Sequence, residues 1–185
     1  MKRFPCEKGS CAVMNESVFL RSVPAPAELS QFEGFFEAEY THLCRALYLL
    51  TGDPWEAEDV AQEAMTRVLE RWERIRSMDS PSGYVYRTAM NLNRNRIRRI
   101  AVRARRVFAE EPSQDHSSTV GDQQDVRRAL AKISVREREA LVLVDWLQMS
   151  ADEAGRVLGI KPSSVRVRLH RGRASLREHL GGNDE

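Results

Sequence analysis

The chain has 185 residues, of which 42% are hydrophobic and 30% charged, a balance that suits one or two small soluble modules. It has no run of about 18 consecutive apolar residues to span a bilayer. Its basic start, Met1-Lys2-Arg3, is not followed by an apolar signal core, so it is expected to be cytoplasmic. The net charge of +2 hides a separation along the chain: eleven acids against three Arg from Glu28 to Glu73, then eight Arg and no acid from Gly83 to Arg106, then six Lys or Arg and no acid from Lys161 to Arg177. One acidic and two basic blocks imply different partners for different surfaces.

Residues 1–27 carry Pro5, Gly9, Pro24 and Pro26, show no periodicity and read as a flexible tail. Cys6 and Cys11 lie in it, without a second ligand pair at zinc spacing. Cys44 falls on an apolar helix face, as a small hydrophobe does. A first helix is predicted from about Gln31 to Leu50, with Phe32, Phe35, Phe36, Tyr40, Leu43, Cys44 and Leu47 on one face. Thr51-Gly52 stops it. Asp53-Pro54-Trp55-Glu56 restarts helix as a cap, a first-turn proline and a Glu able to reach back to the cap amide. This second helix is predicted to run to about Arg76, with a core stripe of Val60, Ala64, Met65, Val68, Leu69 and Trp72 and an acidic stripe of Asp59, Gln62, Glu63, Thr66, Glu70 and Glu73. After the loop Ser77-Met78-Asp79-Ser80, Ser80-Pro81 opens a third helix to Arg106. Val85, Thr88, Ala89 and Leu92 face inward there, and Arg87, Asn91, Arg94, Arg98 and Arg105 line the other side. Residues 28–106 are expected to share one core.

Residues 107–124 are polar, lack an apolar stripe and read as a linker. A second module is expected over 125–180, and residues 181–185 form a short tail. It opens on a short helix with Val126, Leu130 and Ile133. Ser134-Val135-Arg136-Glu137 and Ser150-Ala151-Asp152-Glu153 are both capping-box patterns. The first leads a helix through Trp146 with Ala140, Leu141, Val144 and Leu147 inside. The second leads a short helix that ends at Leu158-Gly159. Lys161-Pro162 then starts the last helix, with Val165, Leu169, Gly172 and Leu176 inward.

A short helix, a tight Gly159-Ile160-Lys161 turn and a longer helix form a helix-turn-helix pattern, whose second helix enters the DNA major groove. The outer face of that helix holds Ser163, Arg166, His170, Arg173 and Arg177, with Arg168 and Arg171 beside it. Arg pairs bidentately with guanine edges. The Arg-rich third helix would repel itself unless a polyanion relieved it, and Tyr84 and Tyr86 at its start could stack bases beside the basic groove. The acidic stripe cannot attract nucleic acid; any function there means a protein partner. His42, His116, His170 and His179 form no metal-spaced group and have no nucleophile beside them in sequence, and there is no phosphate-binding glycine loop. No catalytic residue, metal or cofactor is expected.

The motifs together resemble a known family. Glu58-Asp59-Val60-Ala61-Gln62-Glu63 through Trp72 resembles the segment by which extracytoplasmic-function (ECF) sigma factors, of the sigma-70 type, grip core RNA polymerase; Asp59, Gln62 and Glu63 match its motif positions. Tyr84-Val85-Tyr86-Arg87-Thr88-Ala89-Met90-Asn91 resembles the stretch that melts and reads the promoter −10 element. The preceding loop, Met78, Asp79 and Ser80 included, matches the pocket for a flipped-out base. Tyr84 stands where the family usually has Trp, and Asn95 where it has Asp. Arg136-Glu137-Arg138-Glu139-Ala140 through Leu176 resembles the −35-reading domain, with Ser163-Ser164 where Gly-Thr is common and Val167 where Ser is.

The resemblance implies an all-α chain of two small helical domains joined by a flexible linker, the second a helix-turn-helix. It implies core polymerase contacts at Asp59, Gln62 and Glu63. It puts −10 contacts at Met78, Asp79, Ser80, Tyr84, Arg87, Asn91, Arg94 and Arg98, and −35 contacts at Ser163, Ser164, Arg166, Arg168, His170, Arg171 and Arg173. It also implies promoter DNA, core RNA polymerase and an anti-sigma factor as partners, a monomer when free, and weak DNA binding until polymerase organises both modules. Other readings are an ordinary helix-turn-helix regulator that binds DNA unaided through 125–180, a non-DNA adaptor and, remotely, a nucleic-acid enzyme.

Overall fold

The computed structural model describes residues 26–106 and 121–180, and every regular element among them is helical. The tail with Cys6 and Cys11, nearly all of the linker and residues 181–185 lie outside the described residues. An N-terminal group holds α1 (Pro26–Thr51), α2 (Pro54–Leu69), α3 (Trp72–Ile75) and α4 (Pro81–Arg106). A C-terminal group holds α5 (Gly121–Lys132), α6 (Val135–Leu141), a π-helical turn (Val142–Trp146), α7 (Ala151–Leu158) and α8 (Pro162–Leu180).

The α1–α2 corner follows its local chemistry. Gly52 has φ +76°, the left-handed conformation that glycine adopts without a Cβ penalty. The Asp53 carboxylate accepts from the amides of Trp55 and Glu56 at 2.8 and 3.0 Å. Glu56 does not reach back as the capping pattern predicts. The Asp53 amide donates instead to the Thr51 hydroxyl at 3.2 Å, which leaves Glu56 free to face Arg96 of α4.

The helix predicted through Arg76 breaks after Leu69. Arg71 leaves helical geometry (φ −128°, ψ 18°) and its amide bonds three residues back to Val68 at 3.1 Å. The kink turns Trp72 under α1, with ring centroids 5.4 Å from Phe32 and 5.0 Å from Phe35, and buries Ile75. Aromatic pairs of this kind add about 0.5–1.5 kcal/mol beyond the area they bury. On α4, Val85, Tyr86, Ala89, Met90 and Leu92 are buried with Asn93, while Thr88 is only half-buried.

In the C-terminal group the Ser150–Glu153 capping box is complete, whereas at Ser134 the hydroxyl accepts from the Glu137 amide and donates to the Glu137 carboxylate, without the return bond from the Ser134 amide. The π turn shifts the helical register, since its wider winding delays each side chain's return to the core. Val142 and Leu143 are therefore buried, and Val144 and Leu147, expected inside, are half-buried. Gly159 closes α7 at φ +68°. A Cβ on Gly155 would lie 2.8 Å from the Ile160 carbonyl oxygen, so the α7–α8 turn folds tightly against a glycine backbone.

The two groups do not stand apart. Buried apolar residues from Phe32 to Leu92 and from Ala140 to Val165 form one continuous cluster. A smaller cluster of Leu130, Ile133 and Leu141 has Leu49 of α1 packed against it. Among the described residues no helix is long and apolar enough to cross a membrane.

Candidate functional site

Three surfaces carry the residues that the sequence singles out. On α2, Val60, Ala61, Ala64, Met65 and Val68 turn inward, which leaves Asp59, Gln62, Glu63 and Thr66 exposed on the opposite side. Gln62 donates to Glu58 at 3.3 Å, Arg67 pairs with Glu63 at 2.6 Å, and Arg96 of α4 lies 3.5 Å from both Glu56 and Asp59. The Asp59 and Glu63 side chains remain 68% and 53% exposed. Such solvated pairs are worth about 0–1 kcal/mol and yield readily to a competing partner. Trp55, 77% exposed, adds a large apolar group in the first turn of the same helix.

The second surface is the loop before α4 and the outer side of that helix. The Ser80 hydroxyl accepts from the Gly83 amide at 3.0 Å and so caps the helix start. Asp79 and Ser80 are exposed, and Met78 is half-buried. Tyr84 is half-buried, and its hydroxyl accepts from Arg71 at 3.2 Å. Tyr86, read above as a second stacking aromatic, is buried; burial, with the carboxylate of Glu39 beside it, pushes its phenol well above the usual range. It is a core residue. Arg87, Asn91 and Arg98 are exposed.

Arg94 differs from its neighbours. Its Nε and Nη2 each donate to Glu139 of α6 at 2.6 Å, and Nη1 reaches the Leu158 carbonyl at 3.4 Å. The hydrogen bonds to Glu139 raise the guanidinium pKa further against the opposing effect of burial. Arg87 lines a cavity of about 320 Å³ with Met78, Tyr84, Met149, Glu153 and Arg156.

The third surface is α8. Val165 and Gly172 are buried and Leu169 and Leu176 half-buried, so Ser163, Ser164, Arg166, His170 and Arg171 face solvent and Arg168 lies at the edge. A Cβ on Gly172 would come within 3.0 Å of Leu141, which explains a glycine on that inner face. Arg173 forms a two-pronged ion pair with Asp145 of the π turn, with its Nε donating at 3.0 Å. Ser163, Arg166 and His170 form a contiguous exposed strip that starts one residue inside the N-terminus of α8, as a groove-reading helix requires.

Sequence reasoning missed Glu139, Asp145 and Gly155. Arg136-Glu137-Arg138-Glu139 reads as a charged surface, yet the Glu139 side chain is 1% exposed. The available signal was its place beside Ala140 and four residues before Leu143, on the apolar side of its helix. Among the described residues no group of three or more His, Cys, Asp or Glu could hold a metal ion.

Two protein-family models match the chain: Sigma-70 region 2 over residues 35–103 and Sigma-70, region 4 over residues 123–176. The RNA polymerase sigma-E factor of Streptomyces coelicolor is 30% identical over 159 residues, which cover 85% of this chain and 90% of that one. The ECF RNA polymerase sigma factor SigE of Mycolicibacterium smegmatis is 35% identical over 147 residues, 74% of this chain and 56% of that one. Among solved structures, the sigma factor RpoE of Bartonella quintana, in complex with the anti-sigma factor NepR, has a similar fold, with TM-score 0.71 at 21% identity over 84% of this chain and 99% of its own. CnrH, in complex with the cytosolic domain of CnrY, has TM-score 0.62 at 23% identity over 84% of this chain and 91% of its own. With both regions matched in order and a relative aligned over nearly its full length, the chain belongs to the ECF group of the sigma-70 family, the initiation factors that direct RNA polymerase to chosen promoters.

Proposed function

We propose that this protein acts by binding alone, with three surfaces in separate roles. The exposed stripe Asp59, Gln62 and Glu63 seats on core RNA polymerase. The loop Met78-Asp79-Ser80 with Tyr84, Arg87, Asn91, Arg94 and Arg98 captures and reads single-stranded −10 bases. Ser163, Ser164, Arg166, Arg168, His170, Arg171 and Arg173 hold the −35 duplex, Arg173 in part through its pairing with Asp145. The observation that carries this reading is the coexistence of a solvated acidic stripe on α2 and an exposed basic face on α8 that includes no acid of its own from Ser163 to Arg177. A DNA-binding regulator that works unaided has no use for the first. In this reading the chain is an initiation factor and not an enzyme. Its work with RNA polymerase places it in the cytoplasm. An anti-sigma protein is a suitable regulator, because the fold is shared with sigma factors solved in complex with anti-sigma factors.

The test is promoter-specific transcription with purified core polymerase. Asp59→Arg with Gln62→Ala is expected to abolish polymerase binding and leave the C-terminal group folded. Normal transcription by the double variant would reject the docking surface. Tight binding of the free chain to an operator duplex, without polymerase, would favour the ordinary regulator instead.

A further inference from the structure

We propose that Arg71 is a positioning residue for promoter opening: its guanidinium holds the Tyr84 phenol so that the ring presents a fixed face to an unpaired −10 base. This rests on the reading of the start of α4 as the −10 surface.

The kink between α2 and α3 aims the arginine. In an unbroken helix Arg71 would continue the row of Glu63 and Arg67 at steps of four, on the outer side of α2. Burial of Trp72 against Phe32 and Phe35, and of Ile75 behind it, forbids that course. Arg71 takes up the bend, at φ −128° and ψ 18°, and its backbone is held on both sides. Its amide donates to the Val68 carbonyl at 3.1 Å, and its own carbonyl accepts from the amides of Arg74 and Ile75 at 3.1 and 3.0 Å. From this fixed base the exposed side chain reaches α4, where Nη1 donates to the Tyr84 hydroxyl at 3.2 Å, across 13 residues of chain.

Tyr84 is the aromatic for which such a tether matters. Tyr86 is buried, which leaves Tyr84, half-buried, as the ring beside the Met78–Ser80 loop that a base can meet. It lines the cavity that Met78, Ser80 and Arg87 also line. Its backbone is set by the bond from its amide to the Ser80 carbonyl at 3.2 Å and by the Thr88 hydroxyl donating to its carbonyl at 2.9 Å. The ring itself still turns about its side-chain bonds unless its far end is held. A ring that must be ordered at the moment of stacking loses affinity to that entropy, and one already held does not. Arg71 supplies the far anchor. It takes a lone pair of the phenol oxygen, so the hydroxyl proton stays available to an acceptor on the DNA, and a charged donor polarises it for that bond.

The test uses the holoenzyme assembled with core polymerase and a promoter carrying 2-aminopurine in the −10 non-template strand, whose fluorescence reports opening and stacking. Arg71→Ala and Tyr84→Phe each break the tether from one end. Each is expected to lower the equilibrium extent of opening by about two- to tenfold, and the double variant no further than either single one. Tyr84→Ala, which removes the ring, should lower it more. Thermal unfolding and affinity for core polymerase are expected to stay as in wild type for Arg71→Ala. Normal opening by Arg71→Ala overturns the proposal. Losses that multiply in the double variant overturn it too, because Arg71 then acts on the DNA without Tyr84. A fall in Tm that matches the loss of opening likewise overturns it, making Arg71 a folding residue of the kink. Tyr84→Ala keeps the two readings apart. If it opens the promoter as wild type does, the assignment of Tyr84 to the −10 surface fails; if it does not, and Arg71→Ala does, only the positioning role fails.

Discussion

The same substitution should have opposite effects at two glycines of this chain. Gly34 sits inside α1, exposed, with nothing within 4 Å of a Cβ built on it. Gly34→Ala there gains only helix propensity, about 0.8–1 kcal/mol. Gly155 is also helical, so Ala earns the same term, but its Cβ lands 2.8 Å from the Ile160 carbonyl oxygen and 3.5 Å from the Pro162 nitrogen. Those atoms are backbone, fixed by the left-handed Gly159 and by the Ile160 amide donating to the Gly155 carbonyl at 3.0 Å. Overpacking against so rigid a neighbour costs roughly 1–3 kcal/mol. The net expectation for Gly155→Ala is a loss of up to about 2 kcal/mol, or several degrees in Tm for a domain of this size. Because the clash pushes α8 away from α7, binding of the −35 duplex by the assembled holoenzyme should also fall, while docking on polymerase through α2 should not. Thermal unfolding of both single variants and a −35 binding assay decide the matter. A Gly155→Ala protein as stable as Gly34→Ala would refute the argument, since it would mean that the turn is free to widen.

Three other outcomes follow from α8 and the contacts that support it. Arg166→Ala should lower discrimination at one −35 position by roughly 1–3 kcal/mol, whereas Asp145→Asn, which unmasks Arg173, should raise affinity for all duplexes and steepen the salt dependence by about one phosphate contact. If Arg166→Ala weakens every sequence equally, Arg166 contacts phosphate only. Glu153 has its carboxyl pKa lowered, chiefly by the Ser150 hydroxyl and then by the Ser150 amide. Its contribution to the α7 cap is therefore complete above the ordinary carboxylate pKa of about 4.3 and is lost as pH falls through the depressed folded value. Glu153→Gln should flatten that acid limb of the stability profile; an unchanged limb would show that other carboxylates control it.

The local grammar of the chain was legible without a structure. Asp53-Pro54, Ser80-Pro81, Ser150 with Glu153, and Gly159 mark helix ends through bonds within three or four residues, and each is found where expected. Apolar spacing on α2 and α8 likewise fixed which faces were left for the acidic stripe and for the arginines. Where local preference met packing, it gave way. The predicted second helix breaks at Arg71 so that Trp72 can meet Phe32 and Phe35, and the π turn moves Val142 and Leu143 inward in place of Val144 and Leu147.

By itself, then, the sequence determined an all-helical chain with an acidic stripe and two arginine-lined helices, because period, caps and charge sign are properties of neighbouring residues. Only the tertiary structure decided that Tyr86 is core while Tyr84 remains accessible, that Arg173 answers to Asp145, and that Arg94 is bound to a buried Glu139 in the other half of the molecule. Those choices depend on pairs 28 and 45 residues apart. A charged residue reads alike in sequence whether it meets water or a partner, and burial alone, which no local pattern specifies, separates the two.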